Sequence, residues 1–106
     1  MDRTNREVAD RADHLDPAVL RLIGETTSAA GAAGPWVGVC GEMAGDPVAT
    51  PILIGLGVKE LSVAIPSVPT IKERVRSLSH DSCRELADEC LEAADAAQVR
   101  RILEGA

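Results

Sequence analysis

The chain has no phenylalanine and no tyrosine, and Trp36 is its one aromatic residue. Burial must therefore come from Leu, Ile, Val and many Ala, side chains that are small or aliphatic. At 106 residues, one domain at most is expected. A chain of this size buries roughly two-thirds of its unfolded surface, which implies modest stability. Basic residues are also scarce: 11 Lys and Arg stand against 17 Asp and Glu, a formal charge of −6. That argues against nucleic acid as a partner, because neutralising phosphates takes clustered Lys and Arg. No apolar run approaches the roughly 20 residues that span a bilayer, so no membrane segment is expected. The first twenty residues are charged and lack the apolar stretch of a secretory signal, and a cytoplasmic location is the expectation. Cysteines are few and odd in number, three, with no framework spacing. Cys83 and Cys90 lie seven apart in a helical stretch, about 10 Å along the axis, too far for a disulfide. Reduced thiols fit best.

With 45% hydrophobic and 26% charged residues, what is present reads as a soluble globular domain. Residues 1–15 are polar with weak helical periodicity. Asp16-Pro17 is a helix start, with Asp as N-cap and Pro at the first helical position. Val19, Leu20, Ile23, Thr27 and Ala30 share one helical face, and Gly31 and Gly34 stop the helix. Trp36 to Cys40 is a short strand between glycines, and residues 41–46 form a loop. A helix follows through Ile52, Leu53, Ile54 and Leu56, opened by Asp46-Pro47 or by Thr50-Pro51 with Thr50 as cap, and ended by Gly57. Glu60 to Ala64 is a second strand. Thr70 and Glu73 have capping-box spacing for a helix reaching Leu78, with Ser67 as an earlier cap. Ser79 begins another helix, with Leu86, Ala87, Cys90 and Leu91 on one side. Asp95 and Gln98 cap a short last helix to Leu103. The order reads α-β-α-β-α-α, an α/β pattern with a parallel strand pair. Two parallel strands leave both sheet edges unpaired. The pattern therefore belongs to a larger sheet, completed between molecules or by strands outside this chain.

The chemistry concentrates at Val39-Cys40-Gly41-Glu42-Met43-Ala44-Gly45-Asp46-Pro47. A lone thiol ends an apolar run, and a Gly-rich turn leads into a helix. Barrels and open α/β sheets keep reactive groups in that position. A thiol there can act as a nucleophile, a metal ligand or a proton donor, or be a buried structural cysteine packing as a small apolar residue.

Asp2-Arg3-x-Asn5, Asp16 to Ile23, Gly38 to Pro47, Leu61-Ser62 and Ser67-Val68-Pro69 together resemble the C-terminal end of enzyme I. Enzyme I is the phosphoenolpyruvate–protein phosphotransferase of the bacterial sugar phosphotransferase system. The likeness runs from Asp2 to about Leu103. It implies a partial (β/α)8 TIM barrel over residues 1–106: strand seven (36–40), strand eight (60–64) and their helices. A whole barrel needs about 250 residues. The resemblance further implies that Cys40 protonates pyruvate enolate as a general acid and that Arg3 binds the substrate's anionic groups through its planar fork of donors. The family's magnesium is implied too, but its acidic ligands and its phosphoacceptor histidine have no match in this sequence. Phosphoenolpyruvate or pyruvate, a phosphocarrier protein and a second copy of the chain are the implied partners, and the chain alone is expected to be inactive. The alternatives are an interaction or oligomerisation module derived from such a barrel, and a piece of a related pyruvate, phosphate dikinase-like enzyme.

The other polar residues carry blander expectations. Gly41, Glu42, Gly45 and Asp46 support the loop: Glu42 orients it and Asp46 caps a helix, while their spacing is a weak metal signal. Arg3 could equally be a solvated charge near a frayed terminus. His14 and His80 are expected to be solvated. Cys83, Leu86, Ala87 and Cys90 form a packing stripe. Gly55-Leu56-Gly57 lacks the strand-before, helix-after setting of a phosphate loop.

Overall fold

The computed structural model describes residues 13–105. The fold is mixed α/β and mostly helical, with one two-stranded sheet. Helix α1 (Pro17–Ala33) starts where Asp16-Pro17 predicts, the Asp16 carboxylate accepting the Ala18 N–H at 2.9 Å. It passes through Gly31 and ends only at Gly34, whose φ of 112° is the left-handed conformation that terminates a helix without a Cβ clash. Gly31 therefore does not stop the helix; its backbone is ordinary and only Gly34 turns. Leu20 is fully buried, while Val19, one position before it and so turned about 100° round the helix, faces outward at 36% exposure.

Strand β1 (Gly38–Val39) pairs in parallel with β2 (Glu60–Leu61), Gly38 opposite Glu60 and Val39 opposite Leu61. Both strands are shorter than the five residues the sequence predicts. A ladder extends only as far as its neighbours reach, and each strand here has one neighbour. Helix α2 (Thr50–Gly55) lies between them in the chain. Thr50 is not its cap: Ala49 holds that position, and the buried Thr50 hydroxyl donates to the Asp46 carbonyl at 3.2 Å. Gly57, at φ 97°, turns the chain out of the helix toward Val58 and β2.

A 3-10 turn (Ile65–Ser67) leads into α3 (Val68–Arg76). Neither capping signal written for it operates. The helix begins before Thr70, and Ser67 occupies the cap position without a side-chain bond. It closes at Arg76, short of Leu78, where the Ser77 hydroxyl turns back onto the Arg74 carbonyl at 2.7 Å. Helix α4 (His80–Leu91) is capped by Ser79. Its buried stripe is Cys83, Ala87 and Cys90, with Leu86 and Leu91 half-buried at its side. Helix α5 (Ala96–Glu104) is capped as its sequence predicts. Asp95 accepts the Gln98 N–H at 2.8 Å, and the Gln98 side chain reaches back to the Ala94 N–H at 2.8 Å. Three helices thus follow β2, matching the three helix starts read at Thr70, Ser79 and Asp95, whereas the order α-β-α-β-α-α counts one too few.

The core gathers around α2, whose Ile52 and Leu53 meet Leu15, Leu20, Met43, Leu56, Cys90 and Val99. Its most extensive partner is α4. Gly55 makes that approach possible: a Cβ there would lie 2.1 Å from the Cys83 carbonyl oxygen and 2.8 Å from the Ala87 Cβ. Aliphatic side chains too short to span a gap thus pack because two helix backbones come almost into contact.

Candidate functional site

Cys40 immediately follows β1, at the carboxyl end of the parallel pair, and is exposed. It is neither buried nor helical, as a thiol offered to a ligand must be. The other two cysteines differ in kind. Burial raises the Cys83 thiol, with Arg74 partly opposing. Burial, with the Glu89 charge adding, pushes Cys90 up to about 11. Both are apolar packing groups of α4.

Behind Cys40 the chain turns at Gly41, whose φ of 84° suits glycine. Buried Met43 and Ala44 anchor the turn in the core. The Gly45 N–H donates to the Glu42 carbonyl and the Asp46 N–H to the Met43 carbonyl, each at 3.2 Å. Glu42 is exposed on the outer side of this turn. The Asp46 carboxylate uses both oxygens: Oδ1 accepts the Val48 N–H at 2.9 Å and Oδ2 accepts His14 Nε2–H at 2.7 Å. The first bond makes Asp46 the cap of a turn ahead of α2, not of the helix itself.

His14 is therefore not simply solvated, as the sequence suggests. It ties the segment before α1 to the turn behind Cys40, 32 residues on. Its neighbour Asp13 is held as well. Arg100 on α5 donates to both Asp13 carboxylate oxygens at 3.0 Å, and the Leu15 N–H donates to Oδ1 at 2.9 Å. Burial raises the Asp13 carboxyl, but the Leu15 bond and the Arg100 and His14 charges outweigh it, so it sits below its ordinary 3.8. Arg74 on α3 donates its Nε–H to the Pro47 carbonyl at 3.3 Å. Two separate elements, the segment before α1 and helix α3, thus fix the Asp46-Pro47 end of the turn, and α5 braces the first of them through Asp13. No local signal in the sequence pairs these residues; each contact bridges at least 27 positions.

Cys40, Gly41, Glu42, Gly45 and Asp46 all lie on the one connection between β1 and α2. Arg3 lies outside the described residues. Among the described residues, no three His, Cys, Asp or Glu side chains converge as a metal site would require, and both Asp46 oxygens are engaged. The residues here do not fit a magnesium ion. A thiol on an exposed, rigidly backed turn at the end of parallel strands can exchange a proton with a ligand above the strands.

Comparison with known proteins gives the chain's family. The family described as "PEP-utilising enzyme, PEP-binding domain" (PEP, phosphoenolpyruvate) matches residues 1–80. A multiphosphoryl transfer protein of Rhodobacter capsulatus is 52% identical over 100 residues, covering 94% of this chain and 12% of its own length. A phosphoenolpyruvate-protein phosphotransferase of Haloferax volcanii is 45% identical over 102 residues, covering 96% of this chain and 18% of its own. The corresponding protein of Haemophilus influenzae is 38% identical over 104 residues, with shares of 98% and 18%. The chain thus spans less than a fifth of the length of these relatives. It belongs to the family of PEP-binding domains of PEP-utilising enzymes.

Proposed function

We propose that this chain is the C-terminal part of the PEP-binding (β/α)8 barrel of a phosphoenolpyruvate–protein phosphotransferase, and that Cys40 is its proton donor. In that reaction the phosphoryl group leaves phosphoenolpyruvate and pyruvate enolate remains. The Cys40 S–H proton goes to the enolate methylene carbon, which becomes the methyl group of pyruvate. The negative charge passes to sulfur, and a proton from solvent restores the thiol. Such a general acid contributes roughly 10²–10⁴-fold. The observation that carries this reading is an exposed thiol at the carboxyl end of β1, backed by a turn that His14, Arg74 and buried Met43 hold in place. Arg3 supplies a cation for the substrate's anionic groups, and a phosphocarrier protein accepts the phosphoryl group elsewhere in the whole enzyme. A cytoplasmic location suits that role, and no helix among the described residues is long and apolar enough to cross a membrane.

Phosphoryl transfer needs several positioned cations around the developing charge. The arginines beside the Asp46-Pro47 end of the turn, Arg74 and Arg100, are already engaged, with the Pro47 carbonyl and the Asp13 carboxylate. The isolated chain is therefore inactive. The test is a chimera in which these 106 residues replace the matching stretch of the Haloferax volcanii relative. The chimera is expected to transfer phosphoryl groups from phosphoenolpyruvate while the isolated chain forms no pyruvate. A well-folded chimera with no activity, or pyruvate formed by the chain alone, would contradict the reading.

A second reading rests on the sheet. Both edges of the β1–β2 pair are open among the described residues, and Ile65, just beyond β2, is 86% exposed. In the enzyme those edges meet neighbouring barrel strands. In the chain by itself they serve as pairing surfaces between copies.

A further inference from the structure

A groove of about 410 Å³ opens at the other end of the sheet, where Trp36 and Val37 lead into β1 and Lys59 leads into β2. The Lys59 N–H donates to the Val37 carbonyl at 3.0 Å, which brings the lysine beside the indole segment. Lys59, His80 and Arg84 line the groove together with the Ser28 hydroxyl, and no acidic side chain does. None of the three basic side chains makes a hydrogen bond or ion pair among the described residues. Acids stand only outside the groove. Glu60 takes the Trp36 indole N–H at 3.3 Å, and Glu25 and Asp88 line an adjoining cavity that shares Arg84. In a chain of net charge −6, Lys59 and Arg84 lining one groove without an acidic neighbour in it suit an anionic ligand.

Trp36 adds a second property. The chain's one aromatic ring, the largest apolar group it could have buried, is 70% exposed and lines the same groove. An exposed indole beside cationic donors is a stacking platform for a planar base. On the glycine side there is room, since a Cβ at Gly31 or Gly34 would meet nothing within 4 Å. The volume suits a ligand of nucleotide size.

We infer that this groove binds a nucleoside phosphate, its base stacked on Trp36 and its phosphates held by Lys59 and Arg84 with His80 as a further donor. The site lies before β1 whereas Cys40 lies after it, so it stands or falls independently of the proton-donor reading. Because no other aromatic residue exists, tryptophan emission reports on this groove alone. The experiment titrates the chain with ADP, without metal, and with adenosine. ADP is expected to quench the emission saturably. Adenosine should bind about tenfold or more weaker, and a Lys59→Ala/Arg84→Ala double variant should weaken ADP by about tenfold or more. Both substituted side chains are exposed, and an unchanged melting temperature verifies the fold. Arg76→Ala, a charge change on α3 outside the groove, should leave ADP binding unaltered. Absence of saturable quenching, equal affinity for adenosine and ADP, or an ADP affinity that ignores the double variant would overturn the proposal.

Discussion

Cys40, Cys83 and Cys90 share a side chain and differ in everything that decides reactivity. The thiolate is the attacking species, so a buried thiol pushed up to about 11 reacts slowly. Brief treatment with iodoacetamide should therefore add one group, located at Cys40 by peptide mass; adducts at Cys83 or Cys90 at comparable rates would contradict the burial described here. Asp13 gives a pH test. Its carboxyl is held below 3.8, so the stability it contributes is present above that value and is lost as pH falls through its lower folded value. Arg100→Ala should lower the melting temperature at pH 7 and make little difference near pH 2. An equal loss at both pH values would show that the arginine acts by packing alone. Cys40 was legible in the sequence because an apolar run, a Gly-rich turn and a proline stand next to one another. The His14–Asp46 and Asp13–Arg100 pairs were not, because short polar residues carry no periodicity and their partners lie 32 and 87 positions away.

Among the elements, α2 is the smallest helix and the most enclosed. Its approach to α4 depends on Gly55, so Gly55→Ala must move a helix backbone to seat one methyl group. Overpacking of this kind costs about 1–3 kcal/mol or more, read as a lower urea midpoint. Gly31 is the control: it is helical and has nothing within 4 Å of a Cβ. Gly31→Ala should stabilise by roughly 0.5–1 kcal/mol, since glycine loses more backbone entropy on folding. Similar effects from the two substitutions would contradict the α2–α4 packing. Caps announced most helix starts, as Asp16, Ser79 and Asp95 do, because a capping side chain acts on amides two or three residues away. Strand lengths and the start of α3 could not be read. Strand length depends on neighbouring strands, and the 3-10 turn ahead of Val68 satisfies its first amide without a side chain.

At the scale of the molecule, a two-stranded parallel sheet whose edges are both open among the described residues, with an exposed thiol just after β1, supports the proposed place in a larger barrel. Self-association follows from the unpaired edges: sedimentation velocity should show the isolated chain as dimers or larger species in a concentration-dependent equilibrium, and a strict monomer would weigh against edge pairing. The α/β alternation of the sequence carried the architecture this far because crossover units have a local signature. Closure of a barrel depends on strands that other residues supply. The proposed chemistry turns on the thiol, and the most direct measurement is proton exchange at the methyl carbon of pyruvate. Deuterium entry from D₂O would be followed by NMR in the active chimera and in its Cys40→Ala variant. Exchange is expected with Cys40 in place and is expected to fall by about a hundredfold or more without it. Undiminished exchange in the Cys40→Ala chimera would contradict the account.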